Sequence, residues 1–296
     1  MGALAGALKH LVAASAPERA DELVALDAAA RAPLPLSTRV GVVATAGGSG
    51  CSVVAGILAA TLAARRGGRV LAVNASAGGR SLLWHGGCAQ PAASTAEQHA
   101  ARRAARSSAQ ATAGLTRTSA GLYCLDLAED GATAPDARWW LGVGPAGRFF
   151  DVVVTDHGAR TPARSGPVAA SASVVCVVTH AERSAWQHAV DLASAFMGAG
   201  VPAVLAVNAA GGRAPAWCRT AARLSAVPTV LVPHDRAHGA AEPAPRRDLR
   251  PATTLAALRL AATVLSAAAP SNAAGGGVPA AALSERAPLS RQGAPS

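Results

Sequence analysis

Short apolar runs alternate with longer segments of helical character from residue 39 to residue 267. RVGVVAT, RVLAVNA, GLYCLDL, FFDVVVTDHG, ASVVCVVTH, VPAVLAVNAAGG and VPTVLVPHD read as strands. Their cores are apolar at nearly every position rather than at every second one. That is the pattern of strands buried on both faces of a parallel sheet. Helices are predicted between them: Ser52–Arg66, stopped by Gly67-Gly68; ERSAWQHAVDLASAFMGAG, amphipathic with a glycine end; a short helix over 214–225; and the closing DLRPATTLAALRLAATVLSAA. PDARWWLGVGPAG reads as a helix or turn, and residues 75–120 are less regular. The fold class expected is α/β: a mostly parallel sheet with helices on both faces. Residues 1–37 read as a helical extension (ERADELVALDAAARA) closed by Pro33 and Pro35, 38–267 as the domain, and 268–296, rich in Pro, Gly, Ser and Ala, as a disordered tail.

Composition sharpens this picture at three points. The 296-residue chain is 51% hydrophobic but only 3% aromatic, so its core is expected to be built from Ala, Val and Leu. No apolar run is read as reaching the roughly 18–20 residues of a spanning helix. The N-terminus carries Lys9 and His10 inside its apolar stretch and has no basic leader, which predicts no signal peptide and a cytoplasmic protein. Five scattered cysteines, Cys51, Cys88, Cys124, Cys176 and Cys218, form no CxxC pair and predict neither a disulfide framework nor a zinc site. They are expected to be small buried hydrophobes.

The formal charge of +10 comes from arginine, since Lys9 is the only lysine. A basic balance allows contact with nucleic acid or anionic lipid. Arg102, Arg103 and Arg106, with Arg117 beyond, lie in a stretch without acid between Glu97 and Asp126. They read either as a solvated helix face or as a docking patch for DNA or acidic lipid.

Ligands of parallel sheets bind at the carboxyl ends of the strands. The segments to weigh are therefore TAGGSGCS, NASAGG, TDHG, THAER, NAAGG and PHD. In the first, Gly47, Gly48 and Gly50 let successive backbone N–H groups converge on an anion, and Ser49, Cys51 and Ser52 complete the loop. The helix that follows adds its N-terminal partial charge. Ser52 offers a hydroxyl for Mg²⁺, and Asp156, at the end of an apolar strand, offers a carboxylate for it. A glycine turn that only packs strand on helix is the plain alternative. Asn208, Pro233 and Asp235 stand at the ends of the last two strands, where an amide can read a base edge or simply form a turn.

Other spacings lead nowhere firm. His234 and His238 lie four apart and His85 three from Cys88, but no further ligands cluster with them. Ser52, Asp156 and His157 contain the residue types of a hydrolase triad without its GxSxG loop. Cys51 at a helix start is a candidate for a lowered thiol pKa. Trp139 and Trp140 read as core or interface packing.

The order and spacing of these motifs resemble the MinD/ParA group of P-loop ATPases. AGGSGCS aligns with that group's KGGxGKT loop; RVLAVNASAGGRSL resembles its DADP strand; FFDVVVTDHG resembles its Walker B strand; VLAVN and VLVPHD resemble its base-side strand and I-P-x-D loop. The resemblance spans roughly residues 38–267. VPHDRAHGAA and the closing helix resemble actinobacterial MinD-like proteins of type VII secretion, while the lysine-free loop resembles CpaE/TadZ-like pilus-assembly and septum-site relatives. The resemblance implies ATP or ADP held with Mg²⁺, a homodimer, and a protein partner in an envelope or secretion machine.

The departures fall in one place. The group's signature lysine aligns with Ala46, its loop lysine with Cys51, and the acids of DADP with Asn74 and Ser76. Phosphoryl transfer relies on charge, and one arginine-type stabiliser is worth roughly 10³–10⁵ in rate. Two missing lysines and two missing acids predict a pseudo-ATPase that binds nucleotide weakly or not at all. It would have a spatial or regulatory role in secretion, pilus assembly or septum placement, in the cytoplasm or peripherally at the membrane. One alternative is an active ATPase with a remodelled loop, using backbone N–H groups, Mg²⁺ and Arg80. Another is a DNA-binding partition-type protein.

Overall fold

All seven apolar runs lie in one eight-stranded sheet in the computed structural model, which describes residues 16–34, 37–92, 95–128, 132–243 and 248–269, with the backbone alone at 16–19. The strands are β1 (Thr38–Ala44), β2 (Val70–Asn74), β3 (Thr116–Arg117), β4 (Leu122–Asp126), β5 (Val152–Ala159), β6 (Val174–His180), β7 (Ala203–Ala209) and β8 (Thr229–Pro233). Their order across the sheet is β3-β4-β2-β5-β1-β6-β7-β8. Every pairing is parallel except β3 with β4. That short antiparallel edge lies inside the stretch whose pattern looked irregular.

The helices are α1 (Ala16–Arg31), α2 (Cys51–Arg65), α3 (Leu82–His85), α4 (Ala96–Arg103), α5 (Ser108–Thr112), α6 (Asp136–Gly142), α7 (Gly166–Ser171), α8 (Arg183–Gly198), α9 (Ala216–Leu224) and α10 (Pro251–Ala268). Alternate strand residues face opposite layers. Val40, Val42, Val154, Cys176, Ala206 and Val232 pack with α2, α3 and α10. On the other face, Val73, Leu125 and Val153 meet Trp139 of α6, while Val43, Val175 and Leu205 meet Leu192 and Phe196 of α8. All five cysteines are buried and free, as small core residues.

Two sequence expectations need correction. First, α10 is long and apolar enough to cross a membrane, with a mean hydropathy of 1.3, although no such run was expected. Half of it is buried, with Leu260, Ala261 and Val264 fully inside the core, which explains its composition. Second, the basic run does not lie on one exposed face. Arg102 is only 2% exposed, and its Nη2 lies 3.4 Å from His99 Nδ1. Arg103 and Arg106 remain exposed, but Arg102 cannot join them in a surface patch. β5 ends at Ala159, one residue past the predicted FFDVVVTDHG run.

Helix α1 lies against α10 and α2 through buried Ala30 and half-buried Leu26, with Asp27–Arg65 at 3.0 Å and Glu22–Arg259 at 2.7 Å. Ion pairs this exposed contribute little, so the apolar contact is the larger part of that packing. Pro35 and the tail from residue 270 fall outside the described residues.

Candidate functional site

The glycine loop connects β1 to α2. Gly48 and Gly50 have φ of 79° and 84°, a left-handed backbone that suits glycine. Gly50 caps α2, and its carbonyl accepts from Val54 N–H at 2.9 Å. Ser49 Oγ donates to Ala46 C=O at 2.8 Å. Asn208, at the end of β7, is 7% exposed, and its Nδ2 donates to Ser49 C=O at 3.1 Å. A Cβ on Gly50 would collide with that amide. Asn208 therefore braces the loop, with its amide nitrogen engaged.

Asp156 lies at the centre. Val42 pairs with Asp156 and Val43 with Gly158, so His157 is the extra residue of a bulge in β5. Gly158, at φ 68°, completes it. Bulges re-aim side chains, and here the Asp156 carboxylate turns under the loop with no exposed surface. Its Oδ1 accepts from Gly158 N–H at 2.9 Å and from the Cys51 thiol at 3.2 Å. Its Oδ2 accepts from Ser52 Oγ at 2.5 Å and from Ser76 Oγ at 2.9 Å. Both oxygens are doubly satisfied, and no described cation forms an ion pair with Asp156. Four donors thus hold a buried carboxylate without a counter-charge.

Around this centre Ser76 also lies 3.2 Å from Asn74 Oδ1, and Asn74 Nδ2 donates to Asp126 Oδ1 at 2.8 Å. Asn74 and Ser76 thus link the Asp156 carboxylate under the loop to Asp126 on the neighbouring strand. Burial, then the nearby Asp156 charge, pushes the Cys51 thiol well above its ordinary pKa. That overturns the reading of Cys51 as an activated thiol: desolvation and a carboxylate outweigh the helix N-terminus.

The base-side residues are also engaged within the fold. Pro233 ends β8 opposite Ala209. Asp235, 4% exposed, accepts from Ala237 N–H at 3.1 Å and Arg250 N–H at 2.8 Å. Burial raises its pKa, but the Arg250 and Ala237 donors hold it below the ordinary value. The triad does not assemble. Ser52 meets Asp156 directly, whereas the His157 ring lies by Gly41 on the side of α7's Val168. His85 and His238 do meet, edge to face at 5.8 Å, but no group of three metal-ligating side chains occurs among the described residues. Arg80 lies over Trp84 at 5.6 Å.

The donor set fits one half of a Mg-nucleotide site. Ser52 and Asp156 are the oxygen ligands Mg²⁺ prefers, and the N–H groups of Gly47, Gly48, Ser49, Gly50, Cys51 and Ser52 would face phosphate oxygens. Nothing in the loop supplies positive charge: Cys51 is a neutral thiol bonded to Asp156. The set offers oxygen ligands and N–H donors but no side-chain cation of its own.

A second feature adjoins the loop. A cleft of about 580 Å³ opens between the exits of β1 and β5, reached by Thr45, Arg160 and Arg164. The strand-end segment TDHG stops short of these arginines. The signal was present in GARTPAR, the next residues along the chain.

No protein-family model and no curated protein sequence matches the chain. Its fold does match solved structures. The Pyrococcus furiosus cell division ATPase MinD superposes with a TM-score of 0.60 at 19% identity, covering 78% of this chain and 99% of that one. A ParA family ATPase from Chlorobium tepidum gives 0.57 at 16% identity, covering 76% and 98%. The septum site-determining protein MinD from Pyrococcus horikoshii, complexed with Mg-ADP, gives 0.55 at 16% identity, covering 76% and 95%. The sheet, the loop position and the helices on both faces are those of the MinD/ParA P-loop fold.

Proposed function

We propose that this chain, with its MinD/ParA-type P-loop fold, is a pseudo-ATPase: a nucleotide-binding fold that has kept its loop and lost its phosphoryl-transfer charge. The observation that carries the reading is the closed Asp156 carboxylate, held by Cys51, Ser52, Ser76 and Gly158 with no ion-pair partner among the described residues. Mg²⁺ at Ser52 and Asp156 has to displace the shortest of these bonds. A phosphate in the loop meets N–H dipoles but no lysine. Retention of the fold without the chemistry suits a protein whose work is to dock. The sequence resemblance to secretion, pilus-assembly and septum-site relatives supports a spatial or regulatory role at the envelope, in the cytoplasm or against the membrane face, through a protein partner.

The rival reading is an active ATPase with a remodelled loop. The two left-handed glycines of the loop favour it. A DNA-binding partition role has the exposed Arg103 and Arg106 in its favour and predicts duplex affinity that falls steeply with salt.

Phosphate release from Mg-ATP tests the reading. We expect none above the rate of the Ser52→Ala variant, and no Mg-ATP-driven dimer by light scattering. Turnover that disappears in Ser52→Ala establishes the rival.

A further inference from the structure

The cleft beside the loop carries charge that the loop lacks. Arg160 N–H donates to Ala44 C=O at 2.7 Å, which fixes the start of the β5 exit against the end of β1, next to Thr45. The chain then makes a tight 3₁₀ turn at Pro162–Arg164. Arg164 N–H donates to Thr161 C=O at 2.9 Å, and Ser165 Oγ donates to Pro162 C=O at 2.7 Å, so the turn is pinned from within. Arg160 and Arg164 therefore project from one short, fixed segment. Arg160 is half-buried and Arg164 exposed. Neither guanidinium has an ion-pair partner among the described residues; Arg160 Nη1 only turns back to Ala159 C=O at 2.9 Å. Across the cleft stand Thr133 and Asp136 at the start of α6, leaving an excess of positive charge.

We infer that this cleft is a binding site for a phosphate-bearing small molecule, held by Arg160 and Arg164 with the hydroxyls of Thr45 and Thr161, outside the glycine loop. Planar guanidinium forks match phosphate oxygens in pairs. Two forks and two hydroxyls offer more donors than one carboxylate can accept, which favours phosphate. The volume of about 580 Å³ lies within the range of small-molecule sites. Asp136, on the far wall, faces the uncharged part of such a ligand or a donor on it. The site goes beyond the reading above, because it needs neither the loop N–H groups nor Mg²⁺ and stands whether or not the loop holds nucleotide.

Isothermal titration with inorganic tripolyphosphate in EDTA tests it, with ATP and citrate titrated alongside. The expected result is saturable, salt-sensitive binding of tripolyphosphate and ATP. It should weaken roughly 10- to 100-fold in Arg160→Ala and in Arg164→Ala and remain unchanged in Ser52→Ala. Tighter binding of ATP than tripolyphosphate would mean that the cleft also contacts the nucleoside; equal binding would mean that it reads phosphate alone. Both outcomes support the site. Arg160→Gln and Arg164→Gln serve as milder replacements, and circular dichroism of each variant confirms folding. No binding at millimolar tripolyphosphate, binding that survives both arginine replacements, or citrate binding as tightly overturns the inference. Binding seen only when EDTA is replaced by Mg²⁺, and lost in Ser52→Ala, also overturns it and points to the loop instead. Absence of binding in the cleft leaves the turnover test of the pseudo-ATPase reading intact, so the two can fail separately.

Discussion

Gly50 and Asn208 show how one amide fixes the loop. Asn208 Nδ2 fills the space that a side chain on Gly50 would need. A non-glycine residue at φ 84° costs about 1–2 kcal/mol before any clash. Gly50→Ala is expected to lose more than that, about 3 kcal/mol, because the new methyl also displaces the Asn208 amide. Asn208→Ala alone removes the donor to Ser49 C=O and costs about 1 kcal/mol. The double variant, freed of the clash, is expected to be more stable than the sum of the two losses predicts, by urea unfolding. Strict additivity would mean that the amide does not press on the loop. TAGGSGCS was legible as a strand-to-helix glycine loop because the glycines are local signals. Its brace was not, since Asn208 lies 159 residues from Ser49 and an asparagine after a strand reads equally well as a turn. The closure of Asp156 was legible only in part. The missing lysines could be read directly, but that Cys51 and Ser76 turn their own donors on the carboxylate required the structure.

At the scale of elements, β5 sets the site through its bulge. The run FFDVVVTDHG announces a strand, yet nothing in its apolar pattern marks His157 as the extra residue. The bulge has a measurable consequence in acid. Burial first, and the Arg160 charge second, push the His157 pKa down to about 3, from an ordinary value near 6.5. His85 is lowered to about 4 by burial, with His238 and Arg80 contributing. These histidines are neutral when folded and take up protons when unfolded. The unfolded chain therefore binds more protons between the folded and unfolded pKa values, and stability falls as pH drops below about 6.5. By pH 5 His157 alone should remove about 2 kcal/mol relative to pH 8. Urea unfolding across this range should show that slope, reduced in His157→Leu. A flat profile would mean that the ring is not held neutral. Helix α4 gives the same lesson in another form. HAARRAARSS reads as a basic surface because charge normally faces water, but Arg102 is folded inward while Arg103 stays outside.

The whole molecule was the most legible level. Apolar runs at regular intervals specify a parallel sheet covered on both faces, whatever the side-chain detail, because burial on two sides requires them. The strand order and the short antiparallel edge at β3 came only with the structure. So did the arginine cleft, which depends on where the β5 exit lands beside β1. Taken together, the molecule has charge beside the loop and none within it. The measurement that tests this division most directly is thermal unfolding with ATP, once with Mg²⁺ and once with EDTA, for the natural chain and for Ser52→Ala. A ligand at about 100 times its dissociation constant adds about 2.7 kcal/mol, a shift of several degrees. The account predicts that any stabilisation by ATP is equal with Mg²⁺ and with EDTA and persists in Ser52→Ala. A shift that appears only with Mg²⁺ and vanishes in Ser52→Ala would contradict it, and would mean that Ser52 and Asp156 open to a metal and the loop still holds nucleotide.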